Sequence, residues 1–276
     1  MYRLLVDCPD EPGLIYRITG VLFQHGCSIV QNQEFVDPET AHFFMRSEFT
    51  GGTNIMTVVD ELKELLPRTA TLRLSPAGNR RLVVLVTREH HCLGELLLLH
   101  TFGELGASVL SVIGNHPDLE PLAARFSVPF HHLSSDGISR PEHETSVAEV
   151  VERYAPDYIV LAKYMRVLSP SFLAHYPHRL INIHHSFLPA FVGAQPYRQA
   201  FERGVKLIGA TAHYVTEILD EGPIIAQSVI PVDHSYSPAR MAQAGRDIEK
   251  LVLARALKLV CEDRVFLVGN RTIVFE

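Results

Sequence analysis

The chain has no tryptophan and only four cysteines in 276 residues. Cys8, Cys27, Cys92 and Cys261 are scattered, with no C-x-x-C pair. That spacing excludes a disulfide-stapled scaffold and the common thiolate metal motifs, and leaves reduced, mostly structural thiols. Long apolar runs are also missing: stretches such as Leu82–Val86 and Leu96–Leu99 are far too short to span a bilayer. The opening MYRLLVDCPDEPG has no apolar leader core, so a cytoplasmic protein is expected. Excess positive charge is absent as well. A formal net charge of -6 argues against a nucleic-acid-binding surface. What the chain does have is 47% hydrophobic residues, enough for a sizeable core, and 15 histidines that composition alone does not explain.

Two blocks follow from the hydrophobic pattern. In residues 1–77, YRLLVDC reads as a strand, and EPGLIYRITGVLFQHG as a helix with Leu14, Ile18, Val21 and Leu22 on one stripe and Gly26 as its stop. CSIVQNQEFVD and AHFFMRSEFT are strands joined by a turn at Asp37-Pro38-Glu39. NIMTVVDELKELLP is a second helix and ATLRLS a closing strand. This βαββαβ order describes a ferredoxin-like sandwich. SPAGNRR is a linker. Residues 80–276 alternate strand and helix: RLVVLVT, CLGELLLLHTFGELG, SVLSVIGN, NHPDLEPLAARF, VPFHHLS, HETSVAEVVERYAPD, YIVLAKYM, a short helix, then LINIHH. An α/β, Rossmann-like domain with a mostly parallel, doubly wound sheet is expected. A β-rich stretch follows. Then comes a long helix with Ile248, Leu251, Val252 and Leu259 on one side, and a hairpin turning at Gly269-Asn270.

The stretch INIHHSFLPAF places Asn182, His184 and His185 where a buried strand ends, the place where open α/β sheets collect ligands. Alternation puts Asn182 and His184 on one side and points His185 to the other. An amide N–H beside an imidazole holds a carbonyl oxygen and moves a proton next to it. Asp220 stands in TEILDEGPIIAQ, an ordinary turn acid when taken alone.

Together, INIHHSFLPAFVGAQPYRQAFERGVKLIGATAHYVTEILDEGPIIAQ resembles the signature of the 10-formyltetrahydrofolate-dependent formyltransferase fold, with N-x-H at a strand end and an L-D-x-G-P loop. The resemblance covers residues 80–276 and implies a catalytic trio of Asn182, His184 and Asp220. A nucleotide acceptor is argued against by the first loop, where Thr87-Arg88-Glu89-His90-His91 has no glycine for close approach to a phosphate. A tRNA formyltransferase would call for a further basic barrel, which this acidic chain does not match. DCPDEPGLIYRITGVLFQHGCSIVQNQEF resembles an ACT opening. An ACT-like regulatory or oligomerisation domain over 1–77 and a formyltransferase-fold domain over 80–276, in this order, resemble the formyltetrahydrofolate deformylase family.

That resemblance implies hydrolysis of 10-formyltetrahydrofolate to formate and tetrahydrofolate, which supplies formate for purine synthesis and balances the one-carbon pool. It implies no cofactor beyond the substrate, no metal, no nucleic acid and no membrane. It places the folate against Met165, Arg166, Val167 and Leu168 on one wall and Thr216, Glu217 and Leu219 on the other. It makes Asp10 to Gly13 a candidate loop for an amino-acid effector such as glycine or methionine, and it implies a homo-oligomer. The alternatives are formyl transfer to a small amine, and an ACT-type sensor whose second block binds folate without catalysis. His213, the pairs His90-His91 and His131-His132, and Gln195 have no role assigned from the sequence. Adjacent histidines on a strand point apart, so the pairs alone make weak metal sites.

Overall fold

A computed structural model describes residues 1–52, 54–190 and 196–276. Gln195 lies outside them, as does the side chain of Pro196. The chain divides into two compact units. The first comprises Met1–Gly78 with Glu262–Phe266 and Phe275–Glu276, the second Asn79–Cys261 with Leu267–Val274.

The first unit runs β1 (Tyr2–Pro9), α1 (Leu14–Gln24), β2 (Cys27–Asp37), β3 (His42–Gly51), α2 (Ile55–Leu65), β4 (Thr71–Pro76). Its sheet has the order β2-β3-β1-β4, with every pairing antiparallel. Leu14, Ile18, Val21 and Leu22 form the buried stripe of α1. They pack with Val58 and Leu62 of α2 on Leu4, Val6, Phe43, Met45 and Phe49 of the sheet. Gly26, at φ +69°, lets the chain turn out of α1 into β2 at no steric cost. The chain's last residues complete this unit. Arg46, fully buried, donates to Glu48 and to the carbonyl of Glu262. Arg3 and Arg73 both reach the buried Asp263 carboxylate.

The second unit begins with β5 (Arg80–Val86), α3 (His91–Thr101), β6 (Ala107–Gly114), a 3-10 turn at Pro117–Leu119, α4 (Glu120–Arg125), β7 (Phe130–His132), α5 (Arg140–Tyr154), β8 (Tyr158–Leu161), α6 (Pro170–His175) and β9 (Leu180–His184). It continues through α7 (Pro196–Arg203), β10 (Leu207–Tyr214), β11 (Ile224–Pro231) and α8 (Pro238–Cys261). The hairpin β12 (Val265–Val268) and β13 (Arg271–Val274) closes the chain. The sheet order is β11-β10-β9-β8-β5-β6-β7. Pairings among β5 to β9 are parallel, and β10 and β11 join antiparallel at one edge.

Several element bounds differ from the sequence expectation for physical reasons. Helix α3 stops at Thr101 because Gly103 turns left-handed at φ +72°. Helix α5 starts earlier than expected, where Ser139 and Glu142 cap each other reciprocally. Strand β8 ends at Leu161, since Lys163 and Met165 take left-handed backbone at φ 63° and 55°. In α8, Ile248, Val252 and Leu259 are buried but Leu251 is 59% exposed. The buried arc of that helix instead turns through Gly245, Glu249 and Ala256.

Candidate active site

Strand β9 delivers Asn182 and His184 to the carboxyl end of the sheet, and antiparallel register with β10 sets His213 directly opposite Asn182. The Asn182 amide donates from Nδ2 to His213 Nε2 at 3.2 Å. The other ring nitrogen of His213, Nδ1, donates to the carbonyl of Tyr214 at 2.9 Å. One tautomer serves both contacts, with the proton on Nδ1. Asn182 is thereby turned with one N–H committed and the second available.

After β10 the chain makes the loop that carries Asp220, itself in left-handed backbone at φ 59°. Gly222 is required by space: a Cβ there would lie 1.7 Å from the Tyr214 carbonyl oxygen and 3.3 Å from His213 Nδ1. The loop's Gly-Pro step thus packs onto the carbonyl that fixes His213. The Asp220 carboxylate then reaches His184, with Oδ1 3.2 Å from Nδ1. The same oxygen lies 3.9 Å from His213 Nε2. His184 Nε2 is buried and has no hydrogen-bond partner among the described residues.

Burial pushes the Asp220 carboxyl upward, but the His184 hydrogen bond and the charges of His184, His213 and His185 outweigh it and hold the group below its ordinary range. Burial lowers His213, and its backbone bond and Asp220 only partly oppose that. His213 is therefore neutral, as its role as acceptor demands.

A cleft opens in front of this group. Among its described lining residues are Asn182, His213 and Asp220 with Arg166, Val167 and Leu168 on one side and Thr216, Glu217 and Leu219 on the other. The two expected walls therefore meet at Asn182 and Asp220, while His184 is not among the described lining residues. Met165 is 64% exposed and is not among the described lining residues. Asp10 and Gly13 lie in the first unit. Gly13, at φ +89°, opens α1. Asp10 is exposed, with its amide donating to the Ala41 carbonyl. Arg17 braces the same loop through Glu11 and the carbonyl of Pro12.

His185 does not diverge from His184 as strand alternation predicts. Strand β9 ends at His184, and the two rings stack at 5.0 Å between centroids with 25° between planes. Thr211 holds the following turn, donating to the Ser186 carbonyl and accepting from Leu188 N–H. His131 pairs with Tyr154 instead of with His132. His91 bonds Glu249 at 2.8 Å. With Cys92, these two offer ligand atoms within 4.8 Å of one another, but Lys163 Nζ stands 3.2 Å from the same Glu249 oxygen, so the cluster already holds its own cation. Sequence reading missed Lys163, Tyr197 and Glu249. The one signal among them was Glu249, an acid next to the apolar Ile248 in α8.

Residues 80–257 match the family described as formyl transferase, and residues 2–67 match the ACT domain. A formyltetrahydrofolate deformylase of Escherichia coli O6:H1 is 56% identical over 267 residues, 97% of this chain and 95% of that protein. The crystal structure of a formyltetrahydrofolate deformylase from Pseudomonas syringae pv. tomato superposes with a TM-score of 0.95 at 40% identity, covering 100% of this chain and 94% of that one. A glycinamide ribonucleotide transformylase from Symbiobacterium toebii reaches a TM-score of 0.69 at 33% identity, covering 72% of this chain and 95% of that one.

Proposed function

The chain belongs to the formyltetrahydrofolate deformylase family, and from that premise we propose that it hydrolyses 10-formyltetrahydrofolate to formate and tetrahydrofolate. One observation carries the mechanism. His184 commits Nδ1 to Asp220, which lines the cleft, and keeps Nε2 buried without a partner among the described residues. An imidazole held this way accepts a proton at Nε2.

The folate lies in the cleft between Arg166–Leu168 and Thr216–Leu219, with its formyl group at Asn182. The free N–H of Asn182 donates to the formyl oxygen. Water adds its oxygen to the formyl carbon as His184 Nε2 takes one of its protons. The carbonyl electron pair moves to oxygen, where Asn182 stabilises it; one such donor is worth about 2.7–4 kcal/mol of barrier. As the intermediate collapses, the C–N10 bond breaks and the proton on Nε2 passes to N10. Asp220 holds the ring in one tautomer and balances the imidazolium that forms between the two steps. His213 acts through Asn182 by fixing its orientation. The reaction needs only water and the substrate.

Family likeness at full length favours hydrolysis over transfer. The deformylase structure covers 100% of the chain, whereas the transformylase covers 72%. Among the described residues no helix is long and apolar enough to cross a membrane, and no disulfide joins the four cysteines; both fit a cytoplasmic enzyme. The ACT unit fits control by an amino acid at Asp10 to Gly13, with glycine and methionine as effectors. It also fits homo-oligomer formation. Formate release from 10-formyltetrahydrofolate without any acceptor amine tests the activity, and adding glycine or methionine to the same assay tests the effector. Release that requires an amine would replace hydrolysis by transfer. Folate binding without turnover would leave a sensor.

A further inference from the structure

Next to His185 lies a second buried polar cluster, absent from the described lining of the cleft, that the reaction above does not use. Glu249 of α8 is its centre. Its Oε2 meets Lys163 Nζ at 3.2 Å and His91 Nε2 at 2.8 Å, and its Oε1 accepts the Tyr197 hydroxyl at 2.6 Å. The Glu249 and Lys163 side chains are only 1% and 4% exposed. Space has been made for this arrangement, because a Cβ at Gly245, one turn before Glu249, would lie 2.0 Å from the Tyr197 oxygen. The Tyr197 ring stands 6.1 Å from that of His185, which in turn stacks on His184. A continuous packed path therefore runs from the ion pair to the reacting imidazole. An apolar cavity lined by Phe187, Leu207 and Val229 flanks His185 and Tyr197, so charges there are weakly screened.

We propose that the buried Lys163–Glu249 pair acts through His185 on His184 as a positioning device for the proposed hydrolysis, its two opposed charges held at fixed places against the stacked rings. The inference rests on the function proposed above. Burying a carboxylate and an ammonium is costly, and neither touches the cleft, so the pair's consequence lies in the field it creates. Groups from every neighbouring element face the ring pair. Lys163 follows β8 and Glu249 comes from α8. His91 and Cys92 open α3, just after Glu89. Tyr197 is on α7, His213 on β10, and Asp220 on the loop before β11. Burial first, then the charges of Lys163 and His184, push His185 down to about 4, against the opposing pull of Glu249 and Asp220. His185 is thus an uncharged platform for His184 at neutral pH. Burial raises the Glu249 carboxyl, but the bonds from His91 and Tyr197 and the charge of Lys163 outweigh it and hold the group at about 2.

The two charges have opposite effects, which makes the test specific. Kcat for formate release is measured against pH for the full-length wild type, Glu249→Gln, Lys163→Met and the double variant. Glu249→Gln leaves the cation unbalanced, so the acid limb moves to lower pH, and Lys163→Met moves it to higher pH, each by about half to one pH unit. The double variant returns towards wild type, and KM for the folate stays constant throughout. A merely structural role would lower kcat without opposed shifts. Limbs that move in the same direction, or not at all, in folded variants overturn the proposal. Where one single variant does not fold, a shift in the other that the double variant does not reverse overturns it equally. Titration of the His185 ring by NMR in the same variants follows the same signs without turnover. A silent wild-type assay would then sink the hydrolysis while the ring titrations still decide this inference.

Discussion

His184 gives one ring nitrogen to a carboxylate and keeps the other buried without a partner among the described residues, and the proposed chemistry depends on that division. Asp220→Asn keeps the volume and removes the charge. It is expected to leave the thermal melt of the protein close to wild type while lowering kcat by about a hundredfold or more, the scale of general acid–base assistance; formate release under saturating folate checks this, and wild-type turnover would end the role. Because Asp220 is held below the ordinary carboxylate range, it stays ionised as pH falls through the imidazole range, so loss of activity on that side reports the histidines. The strand that ends in Asn182 and His184 is visible without coordinates as a period-two pattern. That pattern also fits a polar loop, and it was the N-x-H and L-D-x-G-P signature taken together that singled the two residues out. His213 was legible only as a histidine on a strand. Its opposition to Asn182 depends on register between two strands far apart in the chain. Lys163 was hidden because its inward path depends on left-handed backbone, which few lysines adopt. Glu249 was hidden because a buried acid breaks the rule used to find the core.

At the scale of elements, the βαββαβ order and the α1 stripe could be read directly, since four apolar residues at helical spacing have only one face to bury. The same rule misplaced Leu251, because α8 packs on both the sheet and α3 and its small residues pull the buried arc away from that side. The loop before β11 is the element on which the trio most depends. Gly222→Ala would drive a methyl into the Tyr214 carbonyl. The expected result is a loss of about 1–3 kcal/mol by urea unfolding, with a fall in kcat as His213 and then Asn182 lose their orientation. In the first unit, β2 is an edge strand with Val30, Phe35 and Val36 exposed. An uncovered apolar edge invites a second chain. Sedimentation velocity is expected to show an oligomer that Val30→Glu shifts towards monomer, and an unchanged profile would remove β2 from the interface.

For the whole molecule, the division into units does not follow the chain from end to end. Glu262–Phe266 and Phe275–Glu276 belong with Met1–Gly78, held there by Asp263 against Arg3 and Arg73, by the Glu262 carbonyl against Arg46, and by Phe266 against Phe44. Reading the sequence as two consecutive blocks had no means of detecting this, because a short segment near residue 262 carries no mark of the unit it packs with. Limited proteolysis at the linker Ala77–Asn79 is expected to yield two fragments on a denaturing gel that still co-elute on native size exclusion. Their separation on the native column would show that these contacts do not hold the unit together.

The interleaving also orders events during synthesis. Residues 1–78 are completed by a segment translated after Asn79–Cys261, so an ACT unit with its ion cluster satisfied exists only once that stretch of the catalytic unit has been made. A polypeptide interrupted before residue 262 would carry the whole catalytic trio and yet lack the Asp263 carboxylate and the Glu262 carbonyl, leaving Glu48 to serve both Arg3 and Arg46.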